Sequence, residues 1–182
     1  MCAILISPRP DHWPTNKIMK IPSKRVLNFA GFLACAGMMA FALYVEHGLL
    51  LEPCPLCVFQ RIAVISTGIV FLLLTLHNPS AGWARRIYLG LMGLAVCGGV
   101  TVAGRHVWLQ HLPPDKVPSC GPGLGYMLDT FPFADALKMV FTGSGECAEV
   151  AWSLLGLSMP NWVLIALLGL GSFAFWNNLR RG

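Results

Sequence analysis

Long apolar runs alternate with short polar segments along this chain. Val26 to Val45 contains no charged residue, and neither does Ile62 to Leu76, Ile87 to Gly104 or Ala151 to Leu179. A membrane-spanning helix needs about 20 mostly apolar residues. The first and third runs have that length. The second reaches it by starting near Pro55 and tolerating Arg61. The fourth is expected to span only from about Asn161 to Trp176, after the Met159-Pro160 step. Polar and apolar residues do not alternate within the runs, so they read as helices rather than barrel strands. The predicted fold is an all-α four-transmembrane-helix bundle with spans near 26–45, 56–76, 87–105 and 161–177. They form one domain, 26–182, behind an N-terminal tail, 1–25.

The first run is too long for the roughly 7–15-residue core of a signal peptide, and no small-residue cleavage site follows it. It reads as a retained span. Cys2 to Asn16 reads as unstructured. Met19-Lys20, followed by Pro22, Ser23, Lys24 and Arg25, would make an ordinary beginning for a membrane protein, so the residues before it stand apart.

Charge fixes the orientation. Only 12% of residues are charged, against about 25% in soluble domains. Arg9, Lys17, Lys20, Lys24 and Arg25 precede the first span, Arg85 and Arg86 follow the second, and Arg180 and Arg181 follow the fourth. The positive-inside rule makes that side, with both termini, cytoplasmic. Seven acids, Glu46, Glu52, Asp115, Asp129, Asp135, Glu146 and Glu149, fall on the other side. Trp83, Trp108, Trp152, Trp162 and Trp176 fall near span ends, where amphipathic rings prefer to sit. The net charge of +5 therefore reflects topology. No phosphate loop, zinc-finger spacing or basic-aromatic interleaving points to nucleic acid. Two segments face outwards: Glu46 to about Leu56, and the long loop from Arg105 to Pro160 between the third and fourth spans. Within the loop, Phe133–Phe141 and Cys147–Leu157 are expected on the membrane surface.

Of the seven cysteines, Cys54, Cys57, Cys120 and Cys147 lie in the outward segments, where an oxidising compartment lets disulfides persist. Cys54-Pro55-Leu56-Cys57 opens a helix. Pro55 suits the first helical position and pushes Cys54 towards extended backbone. Cys57 then sits in the first turn, whose positive dipole end favours the reactive thiolate. Arg61 shares its helix face at i+4 and carries a permanent charge. A C-x-x-C also admits a structural disulfide or half a zinc site. Structural zinc usually shows a second short ligand spacing, and Cys120 and Cys147 are far apart, so no metal is expected. Val58 stands where a c-type haem would require histidine.

Cys120 and Cys147 could form a static staple, worth roughly 3.5 kcal/mol by chain entropy. The alternative is an exchanging pair. Gly121, Pro122, Gly123 and Gly125, with Gly143 and Gly145, are expected to leave both cysteines in mobile surroundings, which suits exchange. Cys35 and Cys97 read as small buried hydrophobes. His106, after Arg105 at the outer end of the third span, reads as an interfacial residue or a site residue. Glu46 and His47 carry less weight. Gly90, Gly93, Gly98, Gly99, Gly169 and Gly171 read as close-packing positions.

These residues bring a family into view. The four spans, "EPCPLCVFQR", "RHVWLQ", the isolated Cys120 and "SGECAEVAWSLLGLSMPNW" resemble the bacterial disulfide bond formation protein B family (DsbB), from about Val26 onwards. That family comprises inner-membrane quinone reductases that reoxidise the periplasmic thiol oxidase DsbA. The resemblance implies that Cys54 and Cys57 are the quinone-proximal pair, with Cys57 the thiolate that meets the quinone. It also implies that Arg61 and His106 are quinone-site residues, that Cys120 forms the mixed disulfide with the partner, and that Cys147 is its loop partner. Ubiquinone or menaquinone would be the acceptor. A DsbA-like oxidant near −120 mV is too oxidising for the glutathione pool to keep oxidised, whereas a lipid-soluble quinone can. Gln60 stands where some members carry an acid, and the Gly-Pro-Gly run after Cys120 is unusual. Two rival readings are a vitamin-K-epoxide-reductase-like protein, whose C-x-x-C tends to lie in a late span, and a non-catalytic scaffold with structural disulfides.

Overall fold

The computed structural model describes residues 22–51, 53–119, 124–150 and 152–180. Four long helices dominate: α1 Lys24–Gly48, α2 Pro55–His77, α3 Gly82–Gln110 and, late in the chain, α7 Met159–Leu179. All four are long and apolar enough to cross a membrane. Each overruns its predicted span. The largest difference is in α3, 29 residues long, which continues through Arg105 and His106 instead of stopping there. Apolarity marks only the part immersed in lipid, whereas backbone hydrogen bonding carries a helix on into the interface.

Neighbouring helices pack in the order α1, α2, α3, α7, with α7 returning against α1. Phe71, Leu74, Met92, Leu167 and Ala174 fill the centre. Val26, Leu33, Ile62, Ile69, Leu94 and Ile165 point outwards, as expected where the solvent is lipid. Close approach depends on glycine at particular crossings. A Cβ at Gly99 would stand 2.6 Å from Leu167 and 2.8 Å from Ala63, and one at Gly171 would stand 2.9 Å from Val96. A Cβ at Gly90, Gly98 or Gly169 would meet nothing within 4 Å, so the packing reading fails at those three. Gly31, not singled out from the sequence, lies against the Phe71 ring, with 2.6 Å available for a Cβ.

Polar pairing ties the two ends of the bundle's circuit together. Asn28 donates to Asn178, and both Asn177 and Asn178 donate back to Asn28 Oδ1. All three are buried. Lys24 Nζ donates to the Arg180 carbonyl at 2.6 Å.

Between α3 and α7 the chain forms three short helices, α4 Leu124–Thr130, α5 Phe133–Thr142 and α6 Gly145–Ala148, then a hairpin of β1 Ser153–Leu154 and β2 Leu157–Ser158. The amphipathic stretch at 133–141 is thus a helix. Arg105 fastens it, donating to the carbonyls of Phe141 at 3.1 Å and Thr142 at 2.9 Å while stacking over Trp108.

Candidate functional site

The C-x-x-C motif folds as its sequence requires. Cys54 is the N-cap of α2, extended at φ −64°, ψ 161°, and Pro55 follows in the first turn. The Cys54 sulfur accepts from the Cys57 N–H at 3.4 Å, so it occupies the place a capping hydroxyl normally takes. That fold brings the Cys54 and Cys57 sulfurs to 3.0 Å.

The loop delivers a third sulfur. Cys147, in α6, is fully buried among Leu56, Val102, Leu109, Met127 and Val140. The mobile surroundings expected from its glycines are not what the structure has. Gly143, at φ +90°, is held against Leu109, and Gly145 is itself buried. Burying apolar side chains from α3, α4 and α5 around this turn outweighs the freedom its glycines would otherwise have. The ligating atoms of Cys54, Cys147 and His106 all lie within 4.8 Å of one another. Cys120 lies outside the described residues, but its neighbour Ser119 accepts a hydrogen bond from the Gly145 N–H at 3.3 Å. The two loop strands therefore meet beside Cys147.

Protonation follows from these contacts. The Cys54 thiol is pushed up by hydrogen bonding to Cys147, then to Cys57, and by burial. The Cys147 thiol is pulled down to about 6 by the Cys54 contact; burial opposes this, and hydrogen bonds from Ser144 and the backbone at Leu56 assist it. Cys54 thus holds a proton between sulfurs, while Cys147 is a ready nucleophile.

His106 is 3% exposed, not an interfacial residue. Its Nε2 lies 3.9 Å from Cys54 Sγ, and it also neighbours Cys57. Its Nδ1 pairs with the Gln60 side-chain nitrogen at 2.9 Å. Gln60, noticed in the sequence only as a departure from the family pattern, orients this ring. Its i+3 spacing from Cys57 on α2 was the available signal. Arg61 pairs with Glu46 at the end of α1 and donates to the Ala42 carbonyl. Glu46 carries little weight in the sequence alone, although it lies just ahead of the motif and is opposite in charge to Arg61. Cys35 is buried as expected, whereas Cys97 is exposed on the outer face of α3.

Cys57, Arg61, Gln60 and His106 share the wall of one cavity of about 140 Å³ with apolar side chains such as Met39, Val45 and Val64. A second, almost wholly apolar cavity shares Met38, Ala42, Trp152, Met159 and Val163 with it and runs on to Trp162 and Ala166 between α1 and α7. A mainly apolar chamber with polar groups at the sulfurs therefore continues into an apolar groove.

The chain has known counterparts. The family model "Disulfide bond formation protein DsbB" matches residues 24–177. A disulfide bond formation protein B from Methylococcus capsulatus is 52% identical over 163 residues, 87% of this chain and 98% of the relative. One from Nitrosococcus oceani is 51% identical over 160 residues, 88% and 94% of the two chains. One from Acinetobacter baumannii is 50% identical over 153 residues, 83% and 90%. With a match of this extent over four apolar helices and the paired cysteines at their end, the chain belongs to the DsbB family of disulfide bond formation proteins, multi-pass membrane oxidoreductases.

Proposed function

We propose that this protein reoxidises a periplasmic DsbA-like dithiol oxidase and passes the electrons to a membrane quinone, from the inner membrane, with its termini cytoplasmic and its reactive cysteines periplasmic. The observation that carries the reading is the position of Cys54. One sulfur lies beside both its motif partner Cys57 and the loop cysteine Cys147, on the wall of a cavity that joins polar and apolar side chains.

A thiolate of the reduced partner attacks Cys120 in a Cys120–Cys147 disulfide, and Cys147 leaves as thiolate. The partner's second thiol resolves the mixed disulfide, which releases Cys120 and leaves the partner oxidised. Cys147 then attacks Cys54 in the Cys54–Cys57 disulfide. A Cys54–Cys147 bond forms and Cys57 leaves as thiolate. Hydrogen bonds from Ser144 and from the backbone at Leu56, which need no proton on Cys54, favour the attacking Cys147 thiolate. His106, held by Gln60, faces the charge that develops on the motif sulfurs. Arg61, balanced by Glu46, offers hydrogen-bond donors at the cavity wall.

The cavity fits a quinone on its own terms, with donors around the chamber and an apolar groove for a prenyl tail. A quinone, ubiquinone or menaquinone, supplies a two-electron, two-proton acceptor beside Cys57. Cys120 attacks Cys147 in the Cys54–Cys147 bond, which re-forms Cys120–Cys147 and releases Cys54 as thiolate, and Cys54 and Cys57 would then close their disulfide as the two electrons leave.

The family membership removes the vitamin-K-epoxide-reductase-like reading. A static scaffold is separated by experiment. Mixing the purified protein with a reduced thioredoxin-like oxidase and a soluble ubiquinone analogue should consume quinone, and Cys57→Ser should abolish that consumption. Acid-quenched samples should contain a mixed disulfide through Cys120. Normal quinone reduction by Cys57→Ser would overturn the electron route. Disulfides that persist unchanged during exposure to the reduced partner would overturn the whole proposal.

A further inference from the structure

The fold assembles a donor set that the linear spacing did not show. A sequence with one C-x-x-C lacks the second ligand pair of a structural zinc site, but α3 and the loop bring His106 and Cys147 to Cys54 from 52 and 93 positions away along the chain. We infer that the reduced protein holds a thiophilic divalent cation, zinc being the natural candidate, on Cys54, Cys57, Cys147 and His106. This inference stands on the described geometry and needs neither a quinone nor a partner.

Tetrahedral zinc has Zn–S bonds of about 2.3 Å and Zn–N bonds of about 2.0 Å, so its donor atoms sit roughly 3.5–3.8 Å apart. The observed separation from Cys54 Sγ to His106 Nε2 is 3.9 Å, and the Cys54, His106 and Cys147 donors lie within 4.8 Å of one another. Cys57 Sγ, 3.0 Å from Cys54 Sγ, lies outside that mutual set and joins it by a side-chain rotation. Three sulfurs and one imidazole are a donor set that favours zinc over calcium or magnesium.

The surroundings suit an ion as well. Cys147 and His106 are buried, so the site is shielded from competing water. A histidine that binds through Nε2 must carry its proton on Nδ1 and usually gives it to an acceptor. Gln60 stands 2.9 Å from that nitrogen, and rotating its amide by half a turn presents the carbonyl oxygen. Ser144 Oγ, 3.7 Å from Cys147 Sγ, can hydrogen-bond a coordinated thiolate. Each sulfur binds as the thiolate, releasing whatever proton it still carries, and no electron moves. Forming either disulfide removes donors, so the ion and the disulfide are mutually exclusive. The bound cation would hold the enzyme in its reduced state until a chelator or an oxidant clears it.

The test uses the full-length detergent-solubilised protein, reduced, freed of reductant, and without quinone. Titrated with Co²⁺, it should give the intense visible bands of tetrahedral cobalt, with sulfur-to-cobalt charge transfer. Zn²⁺ should displace the cobalt at one ion per chain. The oxidised protein should bind at least a hundredfold more weakly. Cys147→Ser and His106→Ala should each weaken binding at least tenfold, while Cys97→Ser should leave it unchanged. Only weak octahedral cobalt bands, or equal binding by reduced and oxidised protein, would overturn the inference. So would full affinity in both Cys147→Ser and His106→Ala, because the ion would then sit on the motif pair or on other thiols. None of these results depends on turnover, so loss of quinone reduction with metal binding intact would sink only the proposed electron route.

Discussion

Replacing Gln60 with leucine tests whether the position of His106 matters. Gln60 is 4% exposed and His106 is 3% exposed, so water cannot readily take over their contact of 2.9 Å. Leucine nearly preserves the volume and removes only the polar partner, leaving a buried ring nitrogen unpaired. Such an orphan costs about 1–3 kcal/mol. If the ring stays where it is, the loss appears as stability. If it turns to find another partner, Nε2 leaves its place 3.9 Å from Cys54 and the loss appears in rate. At 1.4 kcal/mol per factor of ten, the full range corresponds to about fivefold to about 150-fold in turnover. Two measurements capture both routes: turnover with a small dithiol and saturating quinone analogue, and thermal unfolding in the same detergent. Gln60→Leu should lower at least one of them. Gln60→Glu, which can accept from the ring N–H, should keep both close to the parent. Parental turnover and parental unfolding temperature together in Gln60→Leu would refute the positioning role.

The remaining predictions concern other contacts. In the fully reduced protein, in buffer containing EDTA, the ultraviolet thiolate absorbance that Cys147→Ser removes should appear as pH rises through about 6 and level off above it, because the Cys54 thiol hydrogen-bonds the Cys147 thiolate. A midpoint near the ordinary thiol value of about 8.5 would refute that. Since this thiol is lowered on folding, its contribution to the reduced protein's stability is complete at alkaline pH and is lost as pH falls through about 6. Gly31→Leu should destabilise the bundle by about 1–3 kcal/mol, read by thermal unfolding, because a Cβ alone would stand 2.6 Å from the buried Phe71 ring. Arg105→Gln should accelerate proteolysis within 124–142 roughly three- to tenfold, since exposed hydrogen bonds to two carbonyls are worth about 1 kcal/mol; small-dithiol turnover should change little.

The spans were legible because lipid enforces a simple rule, and runs such as Val26–Val45 obey it. Their ends were less so: α3 passes through Arg105 and His106 because the interface tolerates charge on a continuing helix. The motif's local geometry was also legible, since Pro55 constrains Cys54 and Cys57 by purely local sterics. The contact between Cys54 and Cys147 was not. It depends on Leu56, Leu109 and Val140 closing around a turn far along the chain, and no local pattern encodes that packing. The same is true of the Arg61–Glu46 pair, which joins two helices. Asn28, Asn177 and Asn178 did carry a readable signal, because polar side chains inside apolar spans are expensive and mark partners.

Those asparagines also bear on how the protein is made. Asn28 belongs to the first helix, and its partners lie about 150 positions later, in the last. The α1–α2 hairpin can form early, but until α7 emerges from the ribosome Asn28 has no mate and must remain near the headgroups or pair with something temporary. Closure of the ring is therefore the last event of biogenesis. A nascent chain stalled before its final turn would present membrane quality control with a polar handle that the finished molecule hides.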